Sequence, residues 1–359
     1  MKITIHTLLR LTIFVVSVSI LFFSGCNSKS SVDPSKEFSL EVPSNFPAPV
    51  FTFSDTPITE EGFELGRLLF YEPRLSSTGA IACGTCHRQT FAFADHGHDV
   101  SHGVHDRLGS RNAPAIQNMA FQPEFFWDGG VNHIELIPLN AIQNTQEMDE
   151  SLANILTKLN NNPTYKQKFK EVFNTDSITS QLVFRAMAQF TGMLISSNSR
   201  YDHYVRGENN VQLTDTEKAG LQLFQQKCAT CHATDLFTDH SYRNNGLDET
   251  PADHGRELIT NNVSDRGKFK VPSLRNVERT SPYMHDGRFT TLEEVLNHYT
   301  SGVKRSATLD AALISGDAVG IPLTATEQNN LIAFLRTLTD NTFVTDKRFI
   351  DPLGTSNQN

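Results

Sequence analysis

The chain has 359 residues, with 31 Lys and Arg against 40 Asp and Glu, for a formal net charge of −9. No basic run breaks that acidic balance, which excludes nucleic acid as a partner and leaves small molecules or a positively charged protein. The length is enough for two domains.

Lys2 and Arg10 precede the apolar run LTIFVVSVSILFF, which ends in small residues before Cys26. This pattern predicts a lipoprotein-type signal peptide over 1–26, with Cys26 the lipidated first residue of the mature chain and the attachment point to a membrane. The run is marginal in length for a membrane span, so an uncleaved anchor is the alternative. Residues 27–50, opening with NSKSSVDPSKE, read as a flexible tether. Either way the folded part lies outside the cytoplasm, on the periplasmic side of a bacterial membrane.

Beyond the tether, apolar residues recur at three and four positions in EEGFELGRLLFY (60–71), SLANILTKLNN (151–161), QLVFRAMAQFTGMLIS (181–196), TDTEKAGLQLFQQK (214–227), TLEEVLNHYT (291–300) and TEQNNLIAFLRTLT (326–339). Thr214 with Glu217, and Thr324 with Glu327, have capping-box spacing at helix starts. No stretch alternates convincingly as a strand. The fold predicted is all-α with long connecting loops.

The motif IACGTCHRQT (Ile81–Thr90) sets Cys83 and Cys86 directly before His87, and KCATCH repeats it with Cys228, Cys231 and His232. Cys-x-x-Cys-His is the attachment signature of c-type haem: the thiols form thioethers to the vinyl groups and the histidine meets the iron. With Cys26 explained separately, every cysteine is assigned, giving two covalently bound haem c groups. A pair of zinc knuckles or a disulfide framework is the alternative. Covalent haem attachment outside the cytoplasm agrees with the signal peptide. The 25 phenylalanines suit packing around porphyrin faces, as they would suit an ordinary core.

The chain also repeats itself. Gly66–Phe70 (GRLLF) and Gly220–Phe224 (GLQLF) each lead to a haem motif, RNAPAIQN (111–118) matches FKVPSLRN (269–276), and FFWDGG (125–130) matches YMHDGR (283–288). Pro114 precedes Trp127 by 13 positions, as Pro272 precedes His285. Two copies of one haem domain are therefore fused, over 51–205 and 206–345, with a tail over 346–359.

From Pro57 to Thr339 the ordered set of haem motif, Arg-Asn-x-Pro, Phe-Trp-Asp-Gly, Glu-Met, second haem motif, Val-Pro-x-Leu-Arg-Asn and His-Asp-Gly resembles the bacterial dihaem cytochrome c peroxidases and their MauG-like (methylamine-utilisation) relatives. The resemblance implies two tandem cytochrome c-like domains, an N-terminal peroxidatic one and a C-terminal electron-transfer one. It further implies reduction of hydrogen peroxide to water with electrons from a small cytochrome or cupredoxin. The MauG-like alternative uses high-valent dihaem states to oxidise side chains of a partner protein; a non-catalytic electron carrier is a third reading. A homodimer is compatible with the same resemblance.

Site residues follow from the same likeness. Glu147, 20 positions after Trp127, matches the distal acid–base glutamate, although ahead of DESLANIL it also reads as a helix-start residue. Trp127, the only tryptophan, matches the residue that couples the two haems; alone it would read as core. The glutamine that many relatives carry ten positions after the tryptophan corresponds to Ile137, with Gln143 a replacement candidate. Tyr299, 14 positions after His285, stands where MauG-like enzymes use a tyrosine iron ligand and other members a methionine; His298 is adjacent, and a packed aromatic is the bland reading. A removable distal histidine of the first haem corresponds to Val104, flanked by His102 and His105 in a histidine-rich loop that could equally be a polar surface segment. Asn112, Thr280 and Pro282 match positions around one calcium ion, and otherwise read as loop turns.

Overall fold

The computed structural model describes residues 38–354, so the signal peptide, Cys26 and the tether up to residue 37 lie outside the described residues. In chain order its helices are α1 (Glu60–Phe70), α2 (Cys83–Cys86), α3 (Ile137–Gln143), α4 (Leu152–Asn160), α5 (Pro163–Phe173), α6 (Ser180–Gly192), α7 (Arg200–Val205), α8 (Asp215–Lys227), α9 (Glu257–Thr260), α10 (Leu292–Asn297) and α11 (Ala325–Arg336). Sheet is confined to two antiparallel pairs of two-residue strands, β1 (Tyr242–Arg243) with β2 (Phe269–Lys270) and β3 (Ile314–Ser315) with β4 (Ala318–Val319). The protein is thus mostly helical, and between α2 and α3 the chain makes only short 3₁₀ turns.

Two helix pairs organise it, and the sequence repeat explains both. The stripe of Phe63, Leu65, Leu69 and Phe70 on α1 packs along α6, and Phe224 on α8 joins Leu331, Phe334 and Leu335 where α8 packs along α11. The repeat-equivalent glycines sit at the two crossings. A Cβ at Gly66 would fall on the Ala186 carbonyl, and one at Gly220 on the Asn330 carbonyl. Both Thr214 with Glu217 and Thr324 with Glu327 form the reciprocal caps that their spacing predicts.

Two segments depart from expectation. Residues 38–50, read as tether, are packed: Phe46 sits edge-on to Phe121 at 5.3 Å, and Phe38 meets Phe63 at 5.5 Å. Residues 346–351, read as tail, return to the first half. There Phe349 is buried among Phe63, Phe93 and Phe190, and its carbonyl accepts the Tyr71 hydroxyl at 2.9 Å. Isolated phenylalanines in polar surroundings act as anchors when a core with room for them lies within reach.

Candidate active site

One connected cavity of about 1120 Å³ carries Cys83, Cys86 and His87 on one wall and Cys228, Cys231 and His232 on another. An ordinary small-molecule pocket holds roughly 300–1,000 Å³. Among the described residues the four thiols are free, and no three His, Cys, Asp or Glu side chains converge as a zinc knuckle requires. Burial pushes the thiols of Cys83, Cys86 and Cys228 up to about 12, the reverse of the depressed thiol that disulfide exchange needs.

Both histidines are held alike. His87 Nδ1 lies 2.8 Å from the Phe93 carbonyl and His232 Nδ1 3.1 Å from that of Phe237. A carbonyl only accepts, so each Nδ1 carries the proton and each Nε2 keeps a free lone pair. Burial pulls both imidazoles below the ordinary histidine range, which favours the neutral, metal-binding form. Paired thiols, a neutral imidazole beside them and an oversized, mainly apolar cavity fit two c-type haems.

Near the first motif, where Glu147 acts electrostatically on Cys83 and Cys86, the residues Glu147, Ile137, Asn140, Asn144 and His102 line the cavity. Glu147 accepts a hydrogen bond from Asn144 Nδ2 at 2.9 Å, and its backbone carbonyl accepts the Val104 N–H at 2.8 Å. Burial raises its carboxyl above the ordinary range, with Asn144 partly opposing. It does not start a helix, because Ser151 caps α4. Gln143 is exposed at the end of α3 and is not among the cavity residues; Asn140 and Asn144 bring polar atoms there instead, a feature the sequence reading missed. An Asn three positions before the glutamate was its only local signal. Of the two flanking histidines, His102 reaches the cavity and stacks on His98 at 4.4 Å, whereas His105 is exposed.

At the second motif, α10 runs into a π-helical turn over His298–Gly302, a local rewinding common at functional positions. Tyr299 lines the cavity. Burial pushes its phenol up to about 12, with an Asn245 hydrogen bond opposing. The neighbouring His298 turns its Nε2 to the Asn245 carbonyl at 3.0 Å and is not among the cavity residues. The turn separates the two side chains that sequence alone left as competing ligands. If Tyr299 meets the second iron, Tyr299→Phe changes the low-spin ferric electron paramagnetic resonance signal and lets that haem bind added ligand; an unchanged spectrum points elsewhere.

Between the motifs the repeat closes on itself. Asn112 N–H donates to the His285 carbonyl at 2.8 Å, and its repeat partner Lys270 N–H donates to the Trp127 carbonyl at 2.7 Å. Each half thus clasps the other's Trp127 or His285 position. Trp127 lines the cavity and donates its indole N–H to the Asn112 carbonyl at 2.9 Å. Asn112, Thr280 and Pro282 also line it, with Asn112 Nδ2 donating to the carbonyls of His98 and Asp99.

Comparison with known proteins agrees with this geometry. A profile described as di-haem cytochrome c peroxidase matches residues 60–210. The cytochrome c551 peroxidase of Nitrosomonas europaea is 34% identical over 67% of this chain and 73% of its own. The methylamine utilization protein MauG of Methylorubrum extorquens is 32% identical over 79% of each chain. A solved MauG-like protein associated with microbial copper homeostasis superimposes with a TM-score of 0.79 at 35% identity, over 87% of this chain and 98% of its own. The diheme peroxidase BthA of Burkholderia thailandensis, 22% identical with a TM-score of 0.69 over 79% of this chain and 87% of its own, shares the fold. With both attachment motifs on one cavity, a carboxyl near the first and relatives at this level of identity, the chain belongs to the dihaem cytochrome c peroxidase family, which includes the MauG proteins.

Proposed function

We propose that this oxidoreductase reduces hydrogen peroxide to water at the first haem site, with two electrons arriving from a small redox protein through the second haem site and Trp127. When bound, each haem c supplies an iron that exchanges single electrons, and the first also offers a coordination position to peroxide. His87 and His232 would each hold one iron through Nε2. Glu147 takes the proton from one peroxide oxygen and gives it to the other, so that the second oxygen departs as water. Two further protons and two electrons complete the conversion to a second water. Ile137 presents no hydrogen-bond donor, and Asn144 holds the Glu147 carboxyl. The position and raised pKa of Glu147 at the first motif carry this reading. Turnover of peroxide with a reduced small cytochrome, compared with spectra after peroxide alone, tests it.

Tyr299 on the cavity wall favours the MauG-like reading as the second possibility. An anionic oxygen ligand stabilises the higher oxidation states that thioether sulfur disfavours. Long-lived oxidised spectra after peroxide, without turnover of the small cytochrome, select that reading.

The tandem haem domains carry one haem each. Replacing Cys228 and Cys231 by Ser leaves one covalent haem per chain by the pyridine haemochrome assay; a count of two rejects the assignment. We also assign one calcium ion to Asn112, Thr280 and Pro282, supported by their common position on the cavity wall. His102, rather than His105, is the removable ligand of the first iron if there is one. Lipid anchoring at Cys26, a periplasmic setting and a homodimer belong to the same reading; among the described residues no helix is long and apolar enough to cross a membrane.

A further inference from the structure

We infer that Tyr242 is a redox-active residue, the station through which an oxidising equivalent passes outward from Trp127, with its phenolic proton moving to Glu124. The inference rests on the peroxidase reading above, which supplies hydrogen peroxide as the oxidant.

The fold ties Tyr242 to Trp127 through Lys270. As part of β1 it pairs with Lys270 of β2, and Lys270 N–H donates to the Trp127 carbonyl at 2.7 Å. Trp127 lines the cavity, whereas Tyr242 is outside its lining and half-buried. The Tyr242 hydroxyl donates to Glu124 Oε2 at 2.6 Å, within the range of a charge-assisted bond. Glu124 belongs to the same loop as Trp127, three positions earlier. Its side chain is 33% exposed, so the pair reaches the surface.

Arg256 decides how this phenol can be oxidised. Its guanidinium lies 4.1 Å from the Tyr242 ring centre, donates to the carbonyls of Asp128 and Gly129 at 2.9 and 3.1 Å, and pairs with Glu124 Oε1 at 3.3 Å. A cation over the ring opposes a positively charged, oxidised phenol. Electron loss must therefore accompany proton loss, and Glu124 is the acceptor in place. In the step, Tyr242 gives one electron to oxidised Trp127, the O–H bond breaks, and the proton goes to Glu124 Oε2. One electron from a reductant at the surface then restores the phenol, and the proton returns.

Other tyrosines have carboxylate partners, but not here. Tyr165 bonds Glu72 and Tyr201 bonds Asp235, and neither carboxylate belongs to the loop that carries Trp127. Burial, then the Glu124 carboxylate, pushes the Tyr242 phenol above its ordinary value, so the proton leaves only when the electron does.

The test uses the holoenzyme made with ring-deuterated or ordinary tyrosine, mixed with hydrogen peroxide, freeze-quenched and read by electron paramagnetic resonance. The wild type gives a tyrosyl signal that narrows on deuteration. Tyr242→Phe removes at least nine-tenths of it while its haem band still responds to peroxide at the wild-type rate, and Glu124→Gln lowers the yield at unchanged haem content. A signal of undiminished amplitude in Tyr242→Phe, or none in a wild type whose haem band responds, overturns the inference. A wild-type haem band that does not respond to peroxide overturns the peroxidase reading, and this inference with it.

Discussion

Glu147→Gln keeps both haems and their resting spectra but slows the reaction with peroxide by about 10²–10⁴-fold, the usual contribution of a positioned acid–base group. The amide is nearly isosteric and keeps the contact with Asn144, so the variant loses proton transfer and little else. Burial first, with Asn144 in opposition, holds the Glu147 carboxyl above the ordinary range. As the group must be ionised to accept the peroxide proton, the wild-type rate rises as pH climbs through that raised value, and the variant loses this limb. Asn144→Ala, removing the bond that stabilises the ionised form, moves the limb to higher pH. Stopped-flow mixing at the main haem band measures all three. A fall of less than threefold in Glu147→Gln assigns proton transfer elsewhere, with His102, which also lines the cavity, the alternative.

What could be read from the sequence was whatever covalent chemistry or local geometry writes into short spacings. The attachment motifs are fixed by thioether chemistry. The caps at Thr214 and Thr324 are fixed by reach across one turn, and the paired glycines 66 and 220 by the crossings they permit. α5 went unread because its start signal, Asn162 accepting the N–H groups of Thr164 and Tyr165 ahead of Pro163 at the first helical position, precedes a polar stretch with few apolar positions. The packing of Phe46 and Phe349 was invisible for a different reason: each anchor is a single residue whose receiving site is assembled from distant segments. The same holds for the site. Glu147 and Trp127 were singled out through a resemblance, whereas Asn144 as the partner of Glu147, and Glu124 as the partner of Tyr242, appear only once side chains are placed. That Tyr299 faces the cavity and His298 does not follows from the π-helical turn, which periodicity cannot reveal.

Arg275→Leu is expected to destabilise the protein by about 3–5 kcal/mol at pH 7, the cost of breaking a buried ion pair from one side. Arg275, in the Val-Pro-x-Leu-Arg-Asn motif, is fully buried together with Asp202. Its guanidinium donates to Asp202 at 2.8 and 2.7 Å and to the Asp235 carbonyl at 2.7 Å, and lies 4.4 Å from the ring centre of Phe46. Burial alone would raise the Asp202 carboxyl; Arg275, Ser199 and Asn45 outweigh it and hold the group below the ordinary range. A depressed carboxylate stabilises the fold above its unfolded pKa of about 3.9, and that contribution is lost as pH falls through the folded value. Without the Arg275 guanidinium, burial weighs against the charged carboxylate, with Arg206 3.9 Å away only partly opposing, and Asp202 costs stability above about pH 3.9, a cost that shrinks on acidification. The gap between wild type and variant is therefore widest near neutrality and narrows toward pH 4. Denaturant unfolding at pH 7 and at pH 4 reads that difference, and Asp202→Asn added to Arg275→Leu recovers part of the loss at pH 7 only. Equal losses at both pH values would assign the effect to the vacated volume. Gln117, which lines the cavity, donates to the Arg275 backbone carbonyl at 2.6 Å and accepts from Asn276, contacts that a leucine at 275 keeps, so the expected loss is read in stability and not in haem content.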